Sequence, residues 1–347
     1  MSKKLVAIAG GTGTIGSSIL RALLMHPGYT PIVLSRATNK HPSGTSTITQ
    51  GDNPVNDTSL ILGAQVVYRF ETRYVDYDNV SSLASALTGV DIVISALLIP
   101  GPELVSYQLN LLDAAIAAGV SRFAPSEFAL CQDAHAQVSI DHGKIEVWDA
   151  VRRAVRNGQI DAAAFPCGMF MNYLAVDAGL SAEDRDRPFY EQPNALARFT
   201  EGPLMFHLSG PQPYVEVPLS STGEIPELTM TDIRDVGKFV AAALDIKEPW
   251  GGRELGMVGE TAHMADIVET IGKALGKKVE LRGIHSKDLE HKLTRLDTSD
   301  IMGRIDTEYT MACGRGMSTV EPYLNQLCPD VHPTKIRGFL EEAWVKH

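Results

Sequence analysis

Leu5-Val6-Ala7-Ile8-Ala9-Gly10-Gly11-Thr12-Gly13-Thr14-Ile15-Gly16 is an apolar run that breaks into a glycine turn, and a helix-period segment follows it as far as Pro27-Gly28. A strand, a tight turn and a helix in that order form the cradle a dinucleotide needs. Glycine at 10, 13 and 16 tightens the turn, admits a pyrophosphate against bare backbone and lets the helix pack closely on its strand. The pyrophosphate is expected on the helix N-terminus, with Gly10, Thr12, Gly13, Thr14, Ile15 and Gly16 as its contacts.

The flanking sequence agrees. Ile15, Ile19, Leu20, Leu23 and Leu24 recur at helical spacing, and Pro31-Ile32-Val33-Leu34 reads as a second buried strand. Ser35-Arg36 closes that strand where an NAD-binding protein places an acidic residue on the ribose hydroxyl. A cation there suits a 2′-phosphate, so the expected cofactor is NADP(H), held by Arg36 with Lys40 as a second contact. For both cations a solvated loop position is the competing reading. Thr38 to Ser59 is polar and reads as a long loop. Ala64 to Tyr68 and Val75 to Tyr77 read as returning order, and Val80, Leu83 and Leu87 as a helix. Val90 to Ser95 is a buried parallel strand whose end, Ser95-Ala96-Leu97, is expected to face the cofactor.

With 347 residues, 44% of them hydrophobic, the chain is long enough for a Rossmann-type doubly wound parallel sheet and a smaller, discontinuous α/β substrate lobe. The expected division is a dinucleotide-binding domain over 1–165 plus 228–262, and a substrate lobe over 166–227 plus 263–347. A net charge of −11 argues against nucleic acid as a partner. No apolar run approaches a membrane span, and the cytoplasm is the expected compartment. Cys131, Cys167, Cys313 and Cys328 are too scattered for a zinc site, so no metal is expected.

Gln108, Leu112-Asp113-Ala114-Ala115, Ala118-Gly119-Val120, Arg122-Phe123 and above all Pro125-Ser126-Glu127-Phe128 resemble the isoflavone reductase and pinoresinol-lariciresinol reductase family. That family lies in the NmrA-like branch of atypical short-chain dehydrogenases. The glycine turn, Arg36, Phe170, Tyr173, Asp232 to Gly237 and Ile267 to Lys277 are similar as well, and the similarity weakens after about Leu281. The resemblance implies an NADPH hydride donor and a lysine near the nicotinamide that assists proton transfer; Lys144 is the candidate. Ser126, at a strand's carboxyl end, is expected to line the nicotinamide site.

The residues around Lys144 support that role from their own pattern. Lys144, Val147, Trp148, Val151 and Val155 share one helical face, while Glu146, Asp149, Arg152, Arg153 and Arg156 share the other. Burial and the positive helix end both move a lysine towards useful acid-base chemistry. Two alternatives stand beside this: a lysine stem lying along apolar surface, and a register that puts Trp148 at the lysine position. Asp141 reads as the helix cap. Position 140 is Ile, so the Tyr-x-x-x-Lys pair of ordinary short-chain enzymes is lacking.

Cys167 to Tyr173 is expected to cross the cofactor's reactive end, with Cys167 and Phe170 on the cofactor and Met169, Phe170 and Tyr173 on the substrate; core packing competes for each Met and Phe. Thr229 to Asp245 reads as a return to the dinucleotide-binding core, and Tyr309 to Trp344 as packing with little chemistry. The function expected is an NADPH-dependent reductase of an aromatic or polyketide-like small molecule. The alternative is a non-catalytic, NmrA-like dinucleotide sensor acting through a protein partner. A homodimer is left open.

Overall fold

The computed structural model describes residues 3–38, 44–47, 70–99, 101, 103–180, 185, 187–198 and 204–344, with 44–47, 197 and 198 described by backbone alone. Two compact units divide the chain: Met1–Glu127, Glu146–Phe165 and Gly237–Glu254 make the first, and Phe128–Ile145, Pro166–Val236 and Leu255–His347 the second. Segments 128–145, 228–236 and 255–262, expected with the dinucleotide-binding part, group with the second unit.

The first unit is built on one sheet. Its strands are β1 (Lys4–Ala9), β2 (Tyr29–Arg36), β3 (Gly44–Thr47), β4 (Glu71–Val75), β5 (Ile92–Ser95), β6 (Arg122–Ala124), β7 (Asp161–Ala164) and β12 (Arg253–Glu254). They lie in the order β12-β7-β6-β5-β1-β2-β4-β3. All neighbours are parallel except β3, which runs antiparallel to β4. The polar stretch read as a loop thus contributes an edge strand. The returning order expected over 64–68 lies outside the described residues. Val6 to Ala9 are fully buried, as a strand covered on both faces must be. Helices α1 (Thr14–Met25), α2 (Val80–Ala86) and α3 (Glu103–Ala117) follow β1, β4 and β5, and α4 (His142–Arg156) precedes β7. The predicted stripe of α4 is observed: Val147, Trp148 and Val151 are buried with Phe123 and Ala162, while Glu146, Asp149 and Arg152 are exposed.

Two side chains dock the far edge strand. Asp161 accepts hydrogen bonds from the backbone N–H groups of Trp250 (2.9 Å) and Gly251 (2.8 Å), and the Arg122 guanidinium lies 4.8 Å from the Trp250 ring centre and 3.3 Å from Asp161. This guides 250–254 onto β7. Helix α5 (Ile233–Ala243) begins in the second unit; from Gly237 onward it belongs to the first, where the Gly237 N–H meets Ser18 Oγ of α1 at 3.2 Å.

The second unit carries two three-stranded sheets. One has the order β14-β10-β9, from β9 (Phe206–His207), β10 (Tyr214–Leu219) and β14 (Glu280–His285); the other has the order β13-β11-β8, from β8 (Met169–Phe170), β11 (Glu227–Thr231) and β13 (Glu260–His263). Strand β11, expected in the dinucleotide-binding core, therefore pairs with β8 and β13. Helices α6 (Met264–Leu275), α7 (Ser286–Arg295), α8 (Ile301–Gly314), α9 (Tyr323–Leu327) and α10 (Ile336–Trp344) complete it. Its core is rich in methionine: Met169, Met171, Met205, Met230 and Met264 pack with Phe206, Ile267 and Phe339. Among the described residues no helix is long and apolar enough to cross a membrane.

Candidate functional site

In the first unit the carboxyl ends of β1, β2 and β5 stand level, with Ala9 opposite both Leu34 and Ser95. The sheet order reverses at β1, and open parallel sheets bind ligands in the crevice at such a point. Gly10 adopts φ +75°, a conformation natural to glycine, and a Cβ there would lie 2.5 Å from the Ala96 carbonyl oxygen. A Cβ at Gly16 would collide with the Gly10 carbonyl, whereas at Gly13 the nearest atom, Gly10 O, is 3.3 Å away. Gly10 and Gly16 therefore serve close packing, and Gly13 keeps open the approach to the helix end. Helix α1 is capped at Gly13 without a side-chain hydrogen bond and has no acidic residue in its first turn, so that turn itself places no negative charge on its positive end. These features fit a dinucleotide pyrophosphate.

Thr12, Thr14 and Ile15 surround that turn. Arg36 ends β2 in an exposed position, and its charge reaches the hydroxyls of Tyr77 and Tyr107, whose rings stack 5.4 Å apart. Lys40 lies outside the described residues. Ser95 is fully buried, Ala96 is half-buried and Leu97 is 9% exposed. Ser126 braces this end: its N–H donates to Gln108 Oε1 at 3.0 Å and its hydroxyl to the Leu97 carbonyl at 2.9 Å. Ser95 Oγ and Gln108 Nε2 are buried without a hydrogen-bond partner.

In the second unit three of the predicted residues, Lys144, Cys167 and Tyr173, fall within electrostatic reach of one buried carboxylate or of each other. Lys144 Nζ lies 3.3 Å from Asp141 Oδ1, with both side chains largely buried. The Tyr309 hydroxyl, on α8, donates to Asp141 Oδ2 at 2.8 Å, and the fully buried His135 places Nδ1 3.8 Å from the same oxygen. Burial alone would raise the Asp141 carboxyl, but Lys144, His135 and Tyr309 outweigh it and hold the group ionised, well below the usual carboxylate range. Burial and the same carboxylate drive the Tyr309 hydroxyl far up. Tyr173 is pushed up to about 12 by burial, with Asp141 and Asp306 adding to it. Burial likewise raises the Cys167 thiol to about 12, against the pull of Lys144. Met169 is buried in the core and Phe170 is half-buried.

Asp141, expected as a cap, turns both carboxylate oxygens to side chains. Sequence reasoning also passed over His135 and Tyr309, because neither belongs to a local motif. A signal was present: α8 buries Thr307, Glu308 and Thr310, an unusual load of polar groups on an inward face. Glu308 uses that position to accept from the N–H (2.7 Å) and hydroxyl (2.6 Å) of Ser139, which ties the short 3₁₀ segment before α4 to α8. His142 is exposed, with its ring nitrogen 3.3 Å from the Ala136 carbonyl.

The sequence profile of the NmrA-like family matches residues 2–311. The oxidoreductase BOA1 of Botryotinia fuckeliana is 28% identical over 335 residues, covering 95% of this chain and 96% of that protein. The oxidoreductase swnN of Metarhizium robertsii is 34% identical over 376 residues, covering 98% of this chain and 97% of that one. Among solved structures, AtPrR2 with NADP+ and (+)pinoresinol superposes with a TM-score of 0.66 at 18% identity, covering 98% of this chain and 99% of that chain. Isoflavone reductase gives the same TM-score, identity and coverage.

Proposed function

The chain belongs to the NmrA-like family, and on that premise we propose that it is an NADPH-dependent oxidoreductase that reduces an aromatic or polyketide-like small molecule. The observation that carries this reading is the buried Asp141–Lys144 pair, which keeps a proton-bearing cation inside the protein. The relatives named as oxidoreductases over nearly the whole chain support it, as do the glycine cradle and the cation at Arg36. NADPH, when bound, supplies hydride.

The chain's own residues have two tasks. Gly10, Gly13, Gly16 and the end of α1 receive the pyrophosphate, while Arg36 takes the 2′-phosphate. Reduction of a carbonyl or double bond by hydride also consumes one proton, and Lys144 gives it from its ammonium and regains one from solvent. Tyr173 and Phe170 supply aromatic surface for a planar substrate. The sensor alternative drew on the missing Tyr-x-x-x-Lys pair, and the Asp141–Lys144 pair weakens that argument because it offers a proton carrier without that tyrosine.

The test follows NADPH consumption over a panel of aromatic ketones, enones and benzylic ethers, with wild type and Lys144→Ala. Turnover that falls by about 10²–10⁴-fold in the variant, with NADPH affinity retained, is the expected result. Preference for oxidised dinucleotide with no consumption across the panel would overturn the enzyme reading. Undiminished turnover in Lys144→Ala would remove the lysine from the chemistry.

A further inference from the structure

A buried ion pair is weak evidence for stability, because desolvating both charges offsets most of their attraction. The Asp141–Lys144 pair has a geometry that stability alone does not require. Asp141 divides its oxygens, Oδ2 receiving Tyr309 and Oδ1 facing Lys144. The carboxylate is fixed from outside its own element: Tyr309 reaches it from α8, and Glu308 of the same helix fastens Ser139, two residues before Asp141. Lysine, by contrast, is a four-carbon stem that loses much rotamer freedom when one position is imposed.

We infer that Asp141 is a positioning residue, which holds the Lys144 ammonium on a fixed vector and in its charged form so that lysine, not a neighbouring tyrosine or cysteine, is the group that gives up the proton. The inference rests on the reading of Lys144 as proton donor. Asp141 stays a carboxylate throughout: an N–H bond of Lys144 breaks, an O–H or C–H bond forms on the substrate, and the neutral amine takes a proton back from water.

The groups facing the pair are consistent with that division of labour. Tyr309 and His135 lie on the Oδ2 side, and Cys167 and Tyr173 stand within electrostatic reach, Tyr173 also feeling Asp306. Cys167 and Tyr173 keep their protons up to about 12, and burial with the Asp141 charge drives the Tyr309 hydroxyl well above its ordinary value. Lys144, an ammonium set against that carboxylate, is thus the group of the cluster placed to give up the proton.

The experiment titrates the intact, ligand-free protein by carbon-13 NMR of ε-labelled lysine, with the Lys144 signal identified by its loss in Lys144→Arg. In wild type the Lys144 midpoint is expected above that of the exposed lysines in the same spectrum. In Asp141→Asn the midpoint is expected to fall, the acid dissociation constant rising at least tenfold, and in Asp141→Glu it is expected to recover. The alkaline limb of kcat is expected to move with it while KM for NADPH stays unchanged. A wild-type midpoint at or below that of the exposed lysines overturns the inference even where Asp141→Asn does not fold. So does an unchanged midpoint in a folded Asp141→Asn. An enzyme that consumes no NADPH sinks the functional reading instead, and the titration still shows whether Asp141 governs Lys144.

Discussion

Tyr309 and Asp141, 168 positions apart in the chain, meet hydroxyl to carboxylate at 2.8 Å. The tyrosine hydroxyl cannot take the negative charge from its partner, because burial and the carboxylate together drive its own ionisation far up. It therefore acts as a donor that locks Asp141 in one orientation. Tyr309→Phe removes that donor and leaves a buried carboxylate short of a partner. Its expected cost is about 1–3 kcal/mol of stability, read by urea denaturation, together with lower turnover and unchanged NADPH affinity. A variant as stable and as active as wild type would show that the contact is incidental.

The proposed contact of Arg36 with the 2′-phosphate predicts a difference between the two nicotinamide cofactors. Loss of a charged contact to the 2′-phosphate is expected to cost about 1.5–3 kcal/mol, or roughly 10–150-fold in the Kd for NADPH. NADH binding in Arg36→Ala should change little. Equal losses for both cofactors, measured by fluorescence titration, would mean that the guanidinium does not meet the phosphate.

The turn glycines should fail in different ways. Gly16→Ala drives a methyl group into the Gly10 carbonyl, backbone that cannot swing aside. A cost of about 1–3 kcal/mol is expected from such overpacking, visible as a lower Tm without any ligand. Gly13→Ala meets only one atom, at 3.3 Å, so its Tm should hold while NADP(H) affinity drops. The reverse pattern would contradict the packing described for the cradle.

Glu342 links acid stability to the second unit. It receives Arg234 through both oxygens at 2.8 Å and Arg187 at 2.8 Å. Burial would raise its carboxyl, but hydrogen bonds and charge from Arg234 and Arg187 bring it down from 4.5 to about 2. A depressed carboxyl contributes stability that is fully present above its unfolded value and is lost as pH falls from 4.5 towards 2. Glu342→Gln should therefore unfold more readily at neutral pH and show a shallower loss of stability across that acid window. Parallel pH-stability curves for the two proteins would refute the linkage.

The glycine turn was legible because its physics is local: an apolar strand, glycines at fixed offsets and a helix lie within Lys4–Met25. The face of α4 was legible for the same reason, since helical spacing sorts Val147 and Val151 from Asp149 and Arg152. What escaped was set by pairings between distant segments. Thr229 onward reads as a turn and then a helix of the dinucleotide-binding core, and nothing local says that Glu227–Thr231 is a strand between Met169–Phe170 and Glu260–His263. Asp141 looked like a cap because its partners His135 and Tyr309 do not lie in the helix it precedes. Arg234 sat in a motif the resemblance had marked, yet its grip on Asp232 and Glu342 depends on a helix more than a hundred residues downstream.

Strand β12, held against β7 by Asp161, Trp250 and Arg122, has a consequence for how the protein is made. The first unit's outermost parallel strand is encoded at Arg253–Glu254, after most of the second unit's amino half has been synthesised. At the usual pace of translation, the 90 residues between the end of β7 at Ala164 and the end of β12 at Glu254 take roughly 5–18 s to emerge. Through that interval Ala163 and Ala164 remain an open sheet edge on the nascent chain, a natural client surface for a chaperone and a reason to expect aggregation whenever synthesis stalls before residue 254.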